Sequence, residues 1–237
     1  MGTYHNQVNL NLPISDAFRS KCVEWCDALY TQTWEGIPRH TDQFVDTNLN
    51  VDASGTKKIV LTRFGDLSTD FNSLQNSFWC ITGNSLYDYM PWYKPMEDFL
   101  LVEAGLTSHL SFPCLLVANG KVRKHPDVGR KTVLNFNIFG SEKILWGIDG
   151  DADPATYNID VETTNFTETY SYTDNQSMIV NVAAIHGGNK IDGHTSYKRV
   201  AINHGFLEDF ATVSNAFTTM AANGKLAELQ AIIDSNA

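Results

Sequence analysis

Between residues 110 and 205 the chain is a succession of short alternating runs separated by turn residues, and this restricts its fold more than any other feature. Successive side chains of a strand point to opposite faces, so an alternating run can bury one face of a sheet. Thr132-Val-Leu-Asn-Phe-Asn-Ile-Phe139 alternates in this way and reads as a strand. Ser111-Phe-Pro-Cys-Leu-Leu-Val-Ala118 reads as another, and Asn119-Gly120 after it is a strong turn signal. The run Ser177–His186 reads as a single strand with Met178, Val180, Val182, Ala184 and His186 on one face, and Gly187-Gly188 follows it. Tyr197–Asn203 is the last, with Arg199 and Ala201 sharing a face. Residues 156–173 add Thr- and Tyr-rich alternating segments. Many short strands punctuated in this way predict a mainly β domain.

The residues that carry chemistry sit at the edges of these runs. In Gly120-Lys-Val-Arg-Lys-His125-Pro-Asp127-Val-Gly-Arg130 a His and an Asp stand two apart, so on a strand both would point to one face. His186 supplies a second imidazole. Two imidazoles and one carboxylate can occupy one face of Fe(II) and leave three positions open for a chelating co-substrate and O₂. Arg199, thirteen positions after His186, can hold a distant carboxylate through a two-pronged contact. A second His-x-Asp, His40-Thr-Asp42, can be completed by His109 and Arg123. It is a poorer set, because little chain precedes His40 to make strands and the segment Asp70–Leu101 lacks sustained alternation. His40 and Asp42 read as a polar loop or a substrate-side contact.

The pattern His125-Pro-Asp127, His186, Arg199 resembles the 2-oxoglutarate/Fe(II)-dependent oxygenase superfamily over residues 110–205, under half of the chain. The resemblance implies a double-stranded β-helix, a jelly-roll or cupin-like barrel of two antiparallel sheets with flanking α-helices and iron in its mouth. It implies that His125, Asp127 and His186 are the metal ligands and catalytic centre, and that Arg199 binds the 5-carboxylate of 2-oxoglutarate. The activity implied is a dioxygenase reaction that hydroxylates a C–H bond of a small molecule, an amino acid or a peptide side chain. Halogenating members carry a small residue where this chain has Asp127, so Asp127 argues for hydroxylation or a related oxidation. Many relatives have Ser or Thr two positions after the Arg; this chain has Ala201. Asn135 shares a strand face with Val133 and Asn137, and reads either as a co-substrate contact or as a polar strand-end residue. Arg130 reads as a contact to the co-substrate 1-carboxylate or to substrate, or as an exposed rim residue.

Length and composition fit this reading. The 237 residues predict one domain, 1–237, with a helical, aromatic part at about 1–105, a barrel core at about 106–205 and C-terminal helices at about 206–237. A net charge of −10 disfavours a duplex nucleic-acid partner, which calls for a basic face. A non-catalytic cupin-like metal-binding barrel and an oxygenase acting on a nucleobase stand as alternatives. Lys121, Arg123, Lys124, Arg130 and Lys131 cluster around the motif, either to attract an anionic co-substrate or to solvate a rim. Met1–Gln7 is polar, no apolar run reaches membrane-spanning length, and Cys22, Cys26, Cys80 and Cys114 are expected to be free thiols of a cytoplasmic protein. Asp149, Asp151 and Asp153 lack the Gly and Glu of a calcium loop and predict an acidic turn.

At the ends of the chain, Gln7–Pro13 reads as a strand and Ser15 as the N-cap of a helix running to about Tyr30. Residues 31–57 read as polar loop with room for one short strand, and Lys58–Thr62 as a strand. Residues 68–104 read as mainly helical, broken at Gly83, Pro91 and Pro95, and their Trp79, Tyr87, Tyr89, Trp92 and Tyr93 read as core, or in part as the lining of a substrate pocket. Two C-terminal helices break at Asn223-Gly224, with Phe206, Phe210, Val213 and Phe217 packing on the barrel.

Overall fold

The structure is a computed structural model. It describes residues 6–17, 19–20, 44–46, 60–65, 76–81, 91–109, 112–118, 122–127, 129–139, 143–147, 166–171, 173–189 and 197–235. Of these, 44–46, 60–65, 76–81, 112–118, 122–125, 139, 143–147, 166–171, 187–189 and 197–200 are described by backbone course and register alone. His40, Asp42, Tyr87, Tyr89, Cys22, Cys26, the Asn119-Gly120 turn, the acidic turn at 149–153 and most of the helix expected before Tyr30 lie outside the described residues.

Twelve strands and three helices are described, and every strand pairing is antiparallel. The strands are β1 (Gln7–Leu10), β2 (Phe44–Asp46), β3 (Val60–Gly65), β4 (Asn76–Ile81), β5 (Phe112–Ala118), β6 (Val122–His125), β7 (Thr132–Phe139), β8 (Lys143–Gly147), β9 (Phe166–Ser171), β10 (Gln176–Asn181), β11 (His186–Asn189) and β12 (Tyr197–Phe206). The helices are α1 (Tyr93–Ala104), α2 (Phe210–Ala222) and α3 (Lys225–Asp234). One sheet has the order β1-β10-β7-β12-β5-β4-β3-β2 and the other β6-β11-β8-β9. From β5 to β12 the chain passes back and forth between them, giving four strands to each. The strands at β1 and β2–β4 extend the larger sheet on either side.

Across β1, β10, β7 and residues 201–206 of β12, both faces of the larger sheet are buried. One face carries Val8, Leu10, Leu134, Phe136, Ile138, Ile179, Ile202 and Phe206, joined in a single apolar cluster with the helices. Tyr93, Met96 and Leu100 are buried on α1, Val213, Phe217 and Met220 on α2, and Leu229 and Ile233 on α3. Those spacings of three, four and seven make one apolar stripe per helix. Fully burying a side chain such as Phe217 contributes about 1.5–3 kcal/mol. Trp92 packs edge-on against Phe136, with ring centres 6.2 Å apart, so Trp92 and Tyr93 belong to the core as expected. The opposite face holds a smaller cluster, Val133, Met178 and Val180 with Val182 and Ala184, and beside it the buried amides Gln7, Asn135 and Asn137. A buried face rich in amides is costly to build as a folding core.

Local chemistry accounts for the helix boundaries. Asp209 caps α2 by accepting from the Thr212 N–H at 2.8 Å. Asn223 and Gly224 divide α2 from α3 as expected, Gly224 having φ of 74°. Residues 68–104 depart from the mainly helical reading, since Asn76–Ile81 is a strand paired with β3 and β5. Pro95 does not break α1. It lies in the first turn, where a missing N–H breaks no intrahelical bond. No described helix is long and apolar enough to cross a membrane.

His204 ties the outer face to the layer of helices. It is fully buried. Its Nδ1 is 2.8 Å from the Tyr93 hydroxyl and its Nε2 is 3.1 Å from the Ser108 hydroxyl. Burial pushes its pKa down to about 3, so the folded protein holds it neutral while the unfolded chain takes up a proton near pH 6.5. This contribution to stability is complete above about pH 6.5 and is lost as pH falls from there towards 3. At pH 4.5 the loss amounts to about 2–3 kcal/mol relative to pH 7. Urea denaturation at the two pH values should show wild type losing more stability than His204→Gln by that margin. Equal losses in the two proteins would refute this account of the buried imidazole.

Candidate metal centre

β6 ends at His125 because Pro126 has no N–H to give to a ladder. Asp127 therefore lies just beyond the strand, and the expectation that it shares a strand face with His125 is corrected. Backbone contacts fix its place instead: the Asp127 N–H donates to Val182 O at 2.7 Å, while the N–H groups of Val182 and Ala183 both donate to Lys131 O at 3.1 Å. Gly129, with φ of 89°, makes the turn between these contacts. The single strand expected over Ser177–His186 is also corrected. β10 stops at Asn181, and residues 182–185 carry the chain to the other sheet, where β11 begins at His186. Met178, Val180, Val182 and Ala184 still share one apolar cluster.

His186 opens β11 opposite His125 on β6 and Trp146 on β8. Its Nδ1 lies 2.9 Å from Ala184 O, a contact in which nitrogen must be the donor because a carbonyl oxygen only accepts. That places the proton of the neutral ring on Nδ1 and makes Nε2 its acceptor atom. Nε2 lies 3.9 Å from Asp127 Oδ1, too far for a hydrogen bond. Two donors each about 2.1 Å from one ion stand between about 3 and 4.2 Å apart, depending on their angle. The observed separation lies at the wide end of that range, beyond the roughly 3 Å of two ligands at right angles on one face of an ion, and one imidazole nitrogen and one carboxylate oxygen suit a divalent first-row metal. Asp127 and His186 keep 13% and 12% of their side-chain surface exposed, so both are mostly buried. Among the described residues, no three His, Cys, Asp or Glu side chains converge.

Arg130 is turned onto Asp127: its Nε donates to Oδ2 at 2.7 Å, and its own side chain is 13% exposed. The exposed rim reading of Arg130 is therefore set aside. Asn135 lies mid-strand on β7 as the Cα partner of Met178 and of Asn203, is 3% exposed, and its Oδ1 has no hydrogen-bond partner among the described residues. Its amide can present either oxygen or nitrogen at that point. Asn137 is satisfied by donating to Thr173 O at 2.8 Å. Arg199 stands near the start of β12 opposite Leu116, on a ladder with β5 that runs unbroken to Asn203. Ala201 is buried opposite Asn137 and Cys114. Of the rival set, His109 gives its backbone N–H to Gly205 O and Arg123 lies on β6. Cys80 and Cys114 are Cα partners across β4 and β5, a pairing that their distance in sequence conceals.

No protein-family model and no curated protein matches the chain. Among solved structures, AviO1 from Streptomyces viridochromogenes Tue57 aligns with a TM-score of 0.49 and 11% identity, over 86% of this chain and 90% of that one. The non-heme alpha ketoglutarate dependent epimerase SnoN from nogalamycin biosynthesis gives 0.47 and 9%, over 86% and 78%. A Pseudomonas putida prolyl-4-hydroxylase gives 0.40 and 10%, over 85% and 92%. At these values the chemistry has to be read from this chain's own residues.

Proposed function

We propose that this protein is a non-haem Fe(II)- and 2-oxoglutarate-dependent oxygenase that hydroxylates a C–H bond of a small molecule, an amino acid or a peptide side chain. The observation that carries the reading is the Asp127–His186 pair, with one donor atom of each 3.9 Å apart and the His186 proton held on the far nitrogen by Ala184 O. The register of His125 opposite His186 supports it as the third ligand. The passage of β5–β12 between two antiparallel sheets supports a double-stranded β-helix around that centre.

In this reading His125, Asp127 and His186 hold the iron. Arg199 pairs with the 5-carboxylate of 2-oxoglutarate, and Asn135 contacts the co-substrate. Iron so held supplies, with 2-oxoglutarate and O₂, the oxidising power for C–H hydroxylation, with succinate and CO₂ as co-products. The chain's own part is orientation. Ala184 O accepts from Nδ1 of His186 and so makes Nε2 the ligating atom of the neutral ring, the backbone bonds of Asp127 and Lys131 to residues 182–183 fix the distance between the ligands, and the Val133, Met178, Val180, Val182 and Ala184 cluster lines the neighbouring sheet face with apolar surface.

The test is succinate release from 2-oxoglutarate by the Fe(II)-loaded protein in air, alone and with pooled small molecules and peptides, beside titration of 2-oxoglutarate into the anaerobic Mn(II)-loaded protein. Co-substrate binding with slow uncoupled succinate release is expected. Metal binding with no affinity for 2-oxoglutarate would replace this reading with a non-catalytic metal-binding barrel.

A further inference from the structure

We infer that Arg130 is a positioning residue that holds one oxygen of Asp127 and so restricts this carboxylate to binding a metal through the other. The inference rests on the reading of Asp127 and His186 as metal ligands. A carboxylate offers two oxygens and can grip a cation with one or with both. Here the two oxygens are not equivalent. Oδ2 accepts from the Arg130 Nε–H at 2.7 Å, the short length of a charge-assisted bond. Oδ1 stands 3.9 Å from Nε2 of His186. Both partners are mostly buried, each with 13% of its side chain exposed, so water competes little for the contact.

The backbone makes this arrangement stiff. Arg130 follows Asp127 by three residues across Gly129, whose φ of 89° lies in a region that L side chains rarely adopt. The neighbouring backbone is anchored at both ends, by Asp127 N–H on Val182 O and by Lys131 O under the N–H groups of Val182 and Ala183. Lys131 N–H also donates to Phe206 O at 2.9 Å. The guanidinium is thus presented to Oδ2 by a loop joined to the segment that leads into His186.

Two roles for Arg130 differ in sign. If it contributed only its charge, it would repel an approaching divalent cation, and its removal would tighten binding. If it orients the carboxylate, its removal weakens binding, and partners of metal ligands are typically worth about 10–100-fold in affinity. Lys keeps the charge without the fixed planar fork, so Arg130→Lys should fall between wild type and Arg130→Met.

The experiment is calorimetric titration of Co(II), under anaerobic conditions, into wild type, Arg130→Lys and Arg130→Met, with the absorption spectrum of each Co(II) complex and the melting temperature of each metal-free protein. The expected result is about 10–100-fold weaker Co(II) binding in Arg130→Met, a changed Co(II) spectrum as the released carboxylate closes on the metal with both oxygens, and an intermediate Arg130→Lys. If Arg130→Met melts early, the comparison is made on Arg130→Lys alone, which should still lose affinity. Unchanged or tighter binding with an unchanged spectrum in the folded variant would overturn the inference while leaving the metal reading intact. Absence of Co(II) binding by the wild type would overturn both.

Discussion

His186→Ala is expected to abolish tight binding of Fe(II) or Mn(II), and with it any 2-oxoglutarate turnover. In wild type the ring is committed before a metal arrives: Nδ1 is engaged by Ala184 O and Nε2 faces Asp127 Oδ1. Removing it deletes a proposed ligand, so the loss should exceed the roughly 10–100-fold that loss of an outer partner costs. The double variant His125→Ala/His186→Ala should leave only Asp127 and bind no metal that survives gel filtration. His40→Ala, from the rival His-x-Asp, should bind as wild type does. Metal content by atomic emission after loading and desalting decides the matter: about one metal per wild-type chain is expected. Full occupancy in the double variant would remove these residues from the metal site.

Arg199→Ala should leave metal binding nearly intact while weakening 2-oxoglutarate binding severely. An Arg meeting a carboxylate through two prongs gains both charge and geometry. Truncating one partner of such a buried pair costs about 2–5 kcal/mol, or roughly 30-fold to several-thousand-fold in affinity. Arg199→Lys should fall between, since it keeps the charge and loses the fork. Titrating 2-oxoglutarate into the Mn(II)-loaded proteins measures this directly. Equal affinity in wild type and Arg199→Ala would remove Arg199 from the co-substrate site.

Strand positions were legible where alternation and punctuation agreed. Thr132–Phe139 is β7 at both ends, and Asn223-Gly224 does divide two helices. Trp92 and Tyr93 are buried as their place in an aromatic-rich segment suggested, and Phe206, Val213 and Phe217 as a set expected to pack on the barrel. Alternation misled where the chain changes sheet. Val182 and Ala184 continue the period of Met178 and Val180, yet residues 182–185 are the crossing between β10 and β11. A crossing keeps its apolar side chains in the same buried space, so the pattern runs on while the hydrogen-bond ladder stops. Residues 76–81 were hidden because Asn76-Ser-Phe-Trp-Cys-Ile81 does not alternate, and the pairing with β3 and β5 that makes it a strand lies outside the run itself.

The sequence by itself determined the residue types and the local punctuation: Pro126 ending a strand at His125, Gly129 permitting a turn, Asp209 starting α2, and apolar stripes for the helices. These are effects within a few residues, governed by missing N–H groups, allowed φ and side-chain period. Only the tertiary structure decided that Asp127 meets His186, that Ala184 O sets the tautomer of that ring, and that Arg130 occupies one oxygen of the carboxylate. Those contacts depend on strand register and on a backbone carbonyl, and a carbonyl has no identity in the sequence. The same holds for His204, whose neutral state follows from burial between a sheet and helices brought together from distant parts of the chain.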